Sequence, residues 1–373
     1  MEPTDQHSMD GYCIHMHAGM QMFFDKSGQV TVSPCCSWNA PFWPVKDPDI
    51  FNHPELLRIR KENKENNQLF SKECSLCINK IADHEGNRTG WHNIYNITKP
   101  RYDIPAPMHI SIKADITCNL ACVICNPYLS TTWQKELSIK GIPVRANKTD
   151  LKEILSRLDT SQLRTLHIYG GETFLGKTTE TILESIRPAL PNILLWLDTN
   201  CTIMPSKKLI NLMSECGRVD LKFSIDGISD AFEYMRYRAN WNKVQDIMHW
   251  LNENLSPNIK IFIRPTVGIL NAHVMNDLNT WYIKNFIKRP NGDRVELEYY
   301  PAYETFGFDS AGDDFIKDIK NLYPVDHKIH SVIPTYPSKN LLKIAFNTLN
   351  ELDARRGTNW RKSLPHLIPY FKD

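Results

Sequence analysis

Between about residues 105 and 300, short runs rich in β-branched and aromatic residues alternate with stretches whose apolar residues recur at helical spacing. The strand-like runs are MHISIKAD, LRTLHIY, ILLWLD, DLKFSID, IKIFIRPTV and RVELEYY. The helical stretches lie near Thr149–Leu158, from about Thr178, and near Ser206–Glu215, Trp241–Asn254 and Asn276–Ile287. Strands separated by helices pair in parallel through right-handed crossovers, so the pattern predicts an α/β barrel or an open partial barrel.

Four motifs fall at or just beyond the C-terminal ends of these predicted strands. They are the cysteine group at residues 118–125, Gly170–Glu172, Thr199–Cys201 and Ser224–Asp226. In α/β folds of this kind, the chemistry takes place at the C-terminal ends of the strands. We therefore expect the four motifs to face a common cavity.

Charge and composition argue against several classes of protein. Lysine and arginine number 44 and aspartate and glutamate 42, a formal net charge of +2 that predicts no nucleic-acid or anionic-membrane partner, although a local basic groove is compatible with it. The N-terminus has no signal-peptide pattern, and no apolar run approaches the roughly 18 residues of a membrane span. We expect a cytoplasmic protein without a membrane partner.

The ten cysteines are unevenly spread, and in a reducing compartment they favour metal or redox chemistry over disulfides. Five lie in the first quarter of the chain: Cys13, Cys35, Cys36, Cys74 and Cys77. Three more form the group Cys118, Cys122 and Cys125, whereas Cys201 and Cys216 stand apart. This partition predicts two metal sites.

The segment CNLACVIC offers three thiols from one loop, which suit either zinc or an iron–sulfur cluster. No further Cys or His follows until His167. A structural zinc site needs four protein ligands, whereas a four-iron cluster with three cysteines keeps one iron free for an exchangeable ligand. The missing fourth ligand therefore favours the cluster.

CNLACVIC, followed by YGGET, LDTNC, KFSIDGI, EYMRYRANW and IRPTVGILN, resembles the radical S-adenosylmethionine (radical SAM) enzymes in order and approximate spacing. The continuation CNPYLSTTW and the N-terminal pattern C…GQVTVSPCC…CSLC…DHEG resemble, more narrowly, the twitch/SPASM-related subset with an N-terminal auxiliary cluster. The resemblance implies a partial (β/α)6 TIM-like barrel at residues 105–304. It also implies a cysteine-rich auxiliary region at 1–104 and a helical C-terminal extension at 305–373.

The resemblance also implies roles for individual residues. Cys118, Cys122 and Cys125 would ligate a [4Fe-4S] cluster whose unique iron chelates S-adenosylmethionine, with electrons from a reductase or flavodoxin-type donor. Gly170 and Gly171 would let the backbone approach S-adenosylmethionine closely, and Glu172 would lie near its ammonium. Ser224 and Asp226 would bind the ribose hydroxyls, and Ile124 would lie against the adenine. In such enzymes the cofactor supplies the radical, and the protein holds it against one C–H bond.

Two motifs depart from the commoner family sequences. GGET replaces GGEP, and TNC replaces TNG, which adds the thiol of Cys201 near the active site. The simpler interpretation is that Cys201 is a small buried residue that only packs, as free cysteines usually do. The alternative is that Cys201 donates a hydrogen atom or acts as a redox partner, which requires an accessible environment.

The cysteines of the first quarter would form a second site. Cys74 and Cys77, together with Cys13 and one of Cys35 or Cys36, complete an all-cysteine set that suits an auxiliary [4Fe-4S] cluster or a structural zinc. Next to a radical SAM barrel we favour the cluster. We take Cys35 over Cys36 because it follows Pro34 and resembles the family's ligand.

The segments outside the barrel have simpler patterns. A hairpin is predicted to turn at residues 26–28. Helical spacing is found in PELLRIRKENKENNQL and in LLKIAFNTLNELDARR. His15 and His17 alternate with apolar residues, as on one face of a strand. The tyrosines and tryptophan of EYMRYRANW suggest outer-layer packing, although Arg236 or Arg238 could reach a substrate anion.

Three functions compete. The first is a radical SAM enzyme that modifies a peptide or protein residue, and the second is a radical SAM isomerase, epimerase or dehydrogenase acting on a nucleoside, modified base or sugar. The third is a non-catalytic iron–sulfur electron carrier or zinc-stabilised binding module. A nucleoside clamp built from GGE and SID is of no use to an electron carrier, which argues against the third function. The motifs do not separate the first two functions, and of these we favour the first, with a peptide substrate.

Overall fold

The computed structural model describes residues 9, 11–35, 37–39, 42–45, 49–78, 91–334 and 339–371. Its strands are β1 Gly19–Phe24, β2 Val30–Ser33, β3 Trp43–Pro44, β4 His109–Ile112, β5 Thr165–Ile168, β6 Leu194–Thr199, β7 Arg218–Phe223, β8 Ile259–Ile263, β9 Thr266–Val267, β10 Glu296–Leu297 and β11 Tyr300–Pro301.

The α-helices follow the predicted alternation closely. They are α1 Ile14–Ala18, α2 Pro54–Asn66, α3 Ser75–Ile78, α4 Thr131–Glu136, α5 Lys148–Arg157, α6 Thr178–Ser185, α7 Lys207–Glu215, α8 Ser229–Met235, α9 Trp241–Asn254, α10 Met275–Asn285, α11 Asp313–Leu322, α12 Leu342–Arg356 and α13 Trp360–Ser363. No helix in the described ranges is long and apolar enough to cross a membrane. The predicted α/β class with a central parallel sheet is confirmed.

The chain divides into two compact units. Unit 1 comprises Met1–Thr117, Lys140–Leu197 and Ser206–Val219, and unit 2 comprises Cys118–Ile139, Asp198–Pro205 and Asp220–Asp373. These bounds differ from the predicted regions 1–104, 105–304 and 305–373, because strands from the first hundred residues pair with the parallel strands.

The sheet of unit 1 has the strand order β6-β5-β4-β1-β2-β3. Four strands run parallel in register, with Gly19 opposite His109, His109 opposite Thr165, and Thr165 opposite Leu194. The predicted hairpin is confirmed, since β1 pairs with β2 in antiparallel orientation. Gly28 closes its turn with a φ of +84°, a conformation that favours glycine.

The strand predicted for His15 and His17 is wrong, because these residues lie in α1 and β1 begins only at Gly19. All five residues of α1 are buried, which a half-buried strand with alternating faces does not require. The helical turn places Ile14 and Ala18 in one apolar cluster and Met16 in another. Burial on all sides therefore overrides the alternating pattern.

In unit 2 the strand order is β10-β8-β7-β6. Only the last two residues of β6, Asp198 and Thr199, belong to this unit. Leu221, Phe223, Ile259 and Ile261 are fully buried on the apolar face of β7 and β8. The predicted strand IKIFIRPTV is interrupted at Pro265, which has no N–H to donate to a sheet. Its second part, β9, pairs instead with β11.

Candidate functional site

The loop Cys118–Cys125 of unit 2 carries its three cysteines between buried apolar residues. Leu120, Ala121 and Val123 are buried, whereas Cys118, Cys122 and Cys125 keep part of their surface exposed. The loop thus presents three sulfur atoms from a backbone fixed by its apolar residues.

The segment STTW at residues 130–133 holds this loop. Ser130 caps α4 and donates from Oγ to the carbonyl of Leu120 at 2.6 Å. Thr132 donates from Oγ1 to the carbonyl of Cys118 at 2.7 Å, and Trp133 donates from Nε1 to that of Cys122 at 2.9 Å. The side chains that follow the cysteines therefore satisfy the carbonyls of the loop, which would otherwise be orphaned.

Two backbone hydrogen bonds join the loop to residues 235–237. The N–H of Val123 donates to the carbonyl of Met235 at 2.7 Å, and the N–H of Ala121 donates to that of Tyr237 at 3.3 Å. Arg236 lies between these two acceptors and is near enough for its charge to act on Cys122.

Arg236 forms a buried ion pair with Asp226. Their Nε and Oδ2 atoms are 2.8 Å apart, although the angles do not meet those of a hydrogen bond. Asp226 is 1% exposed, and its Oδ1 accepts from the N–H of Thr266 at 2.8 Å. Both carboxylate oxygens predicted to bind a ribose therefore already contact protein groups, while Ser224 lies half-buried two residues earlier.

The charge of Arg236 acts on the thiols. Burial raises the pKa of Cys122, while the neighbouring Arg236 lowers it. Burial also raises the pKa of Cys125 to about 11. Burial alone would lower the pKa of Arg236, but Asp226 and Cys122 raise it, so the guanidinium stays charged. A fixed positive charge beside a buried thiol favours the thiolate that binds metal.

The TNC motif lies against the first cysteine. Asn200 places Nδ2 4.0 Å from the Sγ of Cys118 and donates to the Oδ1 of Asn119 at 3.2 Å. Cys201 is fully buried and has a φ of +56°, in the left-handed region that favours glycine. The backbone conformation at this position accounts for the glycine of the commoner TNG.

Ile124 lies in a closely packed region of unit 2 with Asp226, Met235, Gly268 and Phe306, which leaves no room for a water molecule. A Cβ on Gly268 would lie 2.2 Å from the carbonyl oxygen of Phe306, so only glycine fits there. The contact of Ile124 with the adenine stays a prediction.

The GGE motif belongs to unit 1. Gly170 and Gly171 have φ values of +97° and +58°, and a Cβ on Gly171 would lie 2.4 Å from the carbonyl oxygen of Thr117. Glu172 donates its N–H to that carbonyl at 2.9 Å and is 3% exposed. The glycines therefore allow a close backbone approach to Thr117, the residue that precedes Cys118, and their predicted approach to S-adenosylmethionine stays a prediction.

The N-terminal cysteines of unit 1 also come together. Cys13, Cys35 and Cys74 share an apolar cluster with Trp38 and Ile59. Cys77 follows Cys74 by one turn, with its N–H 3.0 Å from the Cys74 carbonyl oxygen. Burial, together with the nearby Cys13 and Cys77, raises the pKa of Cys74 to about 12. Cys36 lies outside the described residues, so the choice between it and Cys35 stays a prediction.

Within the described ranges, no three His, Cys, Asp or Glu side chains are grouped so that they could hold one ion. Each cysteine of a four-iron cluster binds a different iron, so the three sulfurs need not converge on a point. The chemistry of the donor set suits a cluster.

Arg356 is a supporting residue that the sequence analysis missed. At the end of α12, it donates from Nη2 to the carbonyl of Ala121 at 2.9 Å and from Nε to the Oε1 of Glu136 at 2.9 Å. Its guanidinium also lies 4.7 Å from the ring centre of Trp133. No local pattern indicates a partner more than 200 residues away.

Comparisons with known proteins add the family. No curated protein matches the chain. Among solved structures, it is similar to native anSMEcpe with bound AdoMet and Kp18Cys peptide, at 18% identity and a TM-score of 0.40, covering 53% of this chain and 52% of that chain. The chain thus spans about half the length of that protein.

Two other solved structures are similar over longer stretches. SuiB from Streptococcus suis has 12% identity and a TM-score of 0.38, with 95% of this chain and 74% of that chain covered. The radical S-adenosylmethionine methyltransferase TsrM from Kitasatospora setae has 11% identity and a TM-score of 0.34, with 71% and 52% covered. The family model described as the radical SAM superfamily matches residues 116–274, which include the cysteine loop, GGET, TNC and SID. Residues 116–274 therefore match a radical SAM domain.

Proposed function

We propose that this enzyme holds a [4Fe-4S] cluster on Cys118, Cys122 and Cys125, cleaves S-adenosylmethionine reductively, and modifies a peptide or protein residue. When bound, the cluster supplies the electron that yields a 5′-deoxyadenosyl radical able to abstract a hydrogen atom from the substrate. The observation that carries the proposal is the cysteine loop, which places three half-buried cysteines within eight residues of the matched domain.

The surroundings of the loop fit this group. Its carbonyls are bound by Ser130, Thr132 and Trp133, so the loop need not rearrange to satisfy its own backbone when the sulfurs bind iron. Arg236 adds a positive charge beside Cys122, which offsets part of the negative charge of a thiolate-bound cluster.

Further residues of this chain would bind S-adenosylmethionine. We assign Ile124 to the adenine and Glu172 to the ammonium, as the resemblance to the family implies. Ser224 and Asp226 remain assigned to the ribose, since a carboxylate has about four lone-pair sites and Asp226 retains some of them. Asp226 has a second role, because its ion pair with Arg236 holds the guanidinium in place.

The N-terminal cysteines support an auxiliary cluster. Cys13, Cys35, Cys74 and Cys77 are an all-sulfur set in a buried, aromatic environment of unit 1, with structural zinc as the alternative. We assign them to a second [4Fe-4S] cluster of the twitch/SPASM type. A reductase or flavodoxin-type protein would be the electron donor.

The test is anaerobic reconstitution with iron and sulfide, followed by dithionite and S-adenosylmethionine. Formation of 5′-deoxyadenosine in the intact protein, and its loss when Cys118, Cys122 and Cys125 are replaced by Ala together, is the expected result. Replacing the remote, buried Cys216 by Ala is the control. A protein that takes up zinc without sulfide under these conditions, or that still cleaves the cofactor without the three cysteines, would sink the proposal.

A further inference from the structure

A row of charged side chains crosses one face of the strands in unit 2. Asp198 lies on β6, Lys222 on β7, Arg264 directly after β8 and Glu298 directly after β10. The alternate residues of β7 and β8 are apolar and buried. Since side chains alternate between the faces of a strand, the charged residues share the opposite face.

Backbone hydrogen bonds between neighbouring strands align these residues side by side across the sheet. The N–H of Arg264 donates to the carbonyl of Phe223 at 2.8 Å, and the N–H of Glu298 donates to that of Ile263 at 2.9 Å. Asp198 lies two residues, or about 7 Å of strand, before Asn200, whose amide contacts the Sγ of Cys118. The row is therefore close to the proposed cluster.

Arg264 is loosely held within this row. Its Nη1 is 3.8 Å from Oδ1 of Asp198, and its Nε is 3.9 Å from Oε2 of Glu298, both longer than a hydrogen bond. The Nε atom is buried without a hydrogen-bond partner. The guanidinium lies 4.3 Å from the ring centre of Tyr300, within the range of a cation–π interaction.

The charges around Arg264 are mixed. Burial lowers the pKa of Lys222, Arg264 lowers it further, and Asp198, Glu298 and Asp220 raise it. Two cations therefore lie among three carboxylates. A buried donor without a partner is uncommon in a folded protein and points to a ligand or a bound water.

We propose that Arg264, which lies beside Tyr300, binds a carboxylate of the peptide substrate, from an Asp or Glu side chain or from a C-terminus. The planar guanidinium offers two parallel N–H donors, the geometry that a carboxylate accepts. Asp198 and Glu298 then accept from N–H groups of the same peptide. This inference rests on the proposed function and specifies its substrate. The carboxylate of S-adenosylmethionine is the other source of the same chemistry.

The experiment compares Arg264→Gln with Lys260→Gln. Lys260 lies four residues earlier on the same face and pairs with Asp293 at 2.8 Å, so it serves as the matched control. The probes are two fluorescein-labelled synthetic peptide pools, one with free carboxylates and one with every carboxylate amidated. Their binding to the cluster-loaded enzyme is measured by anisotropy without reductant. Equilibrium dialysis gives the affinity for S-adenosylmethionine, and thermal melting checks the fold.

We expect intact enzyme and Lys260→Gln to prefer the carboxylate pool. Arg264→Gln should bind that pool roughly ten- to a hundredfold more weakly, the effect of losing a charge-assisted hydrogen bond. Arg264→Lys should recover only part of the loss, because it lacks the planar fork. Affinity for S-adenosylmethionine should change less than twofold.

Equal binding of the two pools, or unchanged binding by Arg264→Gln, would overturn the inference. A tenfold loss of S-adenosylmethionine affinity in Arg264→Gln would assign the arginine to the cofactor and overturn it as well. With dithionite added, absence of 5′-deoxyadenosine in the intact enzyme would refute the proposed function. The anisotropy result would still decide whether Arg264 binds carboxylates.

Discussion

At the residue scale, the site is governed by a buried charge that local sequence does not reveal. Arg236 was considered as a residue that could reach a substrate anion, yet the structure pairs it with Asp226 and sets it near Cys122. Its position depends on two hydrogen bonds to a loop more than 110 residues earlier. The three loop cysteines, in contrast, stand out in the sequence because close spacing is itself the signal.

Arg236→Met should shift the reduction potential of the loaded cluster to a more negative value. The reduced cluster carries one more negative charge, which a nearby guanidinium stabilises, so its removal makes reduction harder. Arg236→Lys should shift it less. The measurement is a redox titration followed by electron paramagnetic resonance, with Arg238→Met as the control, since Arg238 is exposed two residues later. Equal potentials in both methionine variants would contradict the assignment.

Cys201 tests the cost of a left-handed backbone. A non-glycine residue in the left-handed region lowers the free energy of unfolding by roughly 1–2 kcal/mol. Glycine avoids this strain but gives back part of the gain, because its unfolded chain has more conformational entropy. Cys201→Gly should therefore be about 0.5–1 kcal/mol more stable than Cys201→Ala in urea unfolding. If the thiol donates a hydrogen atom to the product, both variants should still form 5′-deoxyadenosine but lose the product. Retained product formation would leave Cys201 with packing alone.

At the scale of elements, periodicity predicted most of the fold. The helix at Trp241–Asn254 and the hairpin of β1 and β2 were predicted correctly, because each buries one face or stripe. Periodicity failed at α1, which is buried on all sides, and at Pro265, where the strand breaks. The support of the cysteine loop by α12 could not be predicted, since it joins elements far apart in the chain.

Arg356→Ala should destabilise the protein by about 3–5 kcal/mol, because it leaves the buried Glu136 without its closest partner and frees the carbonyl of Ala121. Reconstituted protein should also hold less iron at the loop. The neighbouring Arg355 is 39% exposed and lies 3.8 Å from the same carboxylate, so Arg355→Ala should cost about 1 kcal/mol or less. Melting temperature and iron content check both, and equal losses would contradict a specific role for Arg356.

Unit 1 should lose stability in mild acid. Burial lowers the pKa of His17 to about 4 and that of His109 well below 6.5, despite the hydrogen bond of His17 to Asn63. Because both bind protons more readily when unfolded, they favour the fold above pH 6.5, and this stability falls as the pH drops toward 4. Urea unfolding between pH 7 and 4.5 measures the slope.

The groups that face these rings are mostly neutral or basic. Arg60 and Lys64 near His17 lower its pKa further, while His15 and His167 do so for His109. His17→Gln should flatten the slope, whereas replacing the half-exposed His249 should not. An unchanged slope in His17→Gln would contradict the assignment.

At the scale of the whole molecule, the two cysteine groups are independent parts of the chain. The loop cysteines belong to unit 2 and the N-terminal cysteines to unit 1. The sequence predicted this partition from spacing alone. It could not predict that β1 would pair with β4. Because of this pairing, Cys13 lies shortly before a strand of the sheet and Cys35 shortly after one.

Fully reconstituted protein should hold about seven to eight irons, as two four-iron clusters require. Replacing Cys74 and Cys77 by Ala should leave about half the iron, and so should replacing the three loop cysteines, because neither set needs the other. Iron and sulfide analysis of the two variants checks this. Four irons in the intact protein, with zinc in the remainder, would assign the N-terminal set to a structural metal.

The hydrogen bond between Arg356 and Ala121 has a consequence for biosynthesis. The two residues are 235 positions apart, so a ribosome adding 5–20 residues per second makes the second on the order of ten seconds or more after the first. Until then the loop lacks one of its fixed carbonyl partners, although Ser130, Thr132 and Trp133 have already been made. The support of the loop is therefore completed only once α12 has been synthesised.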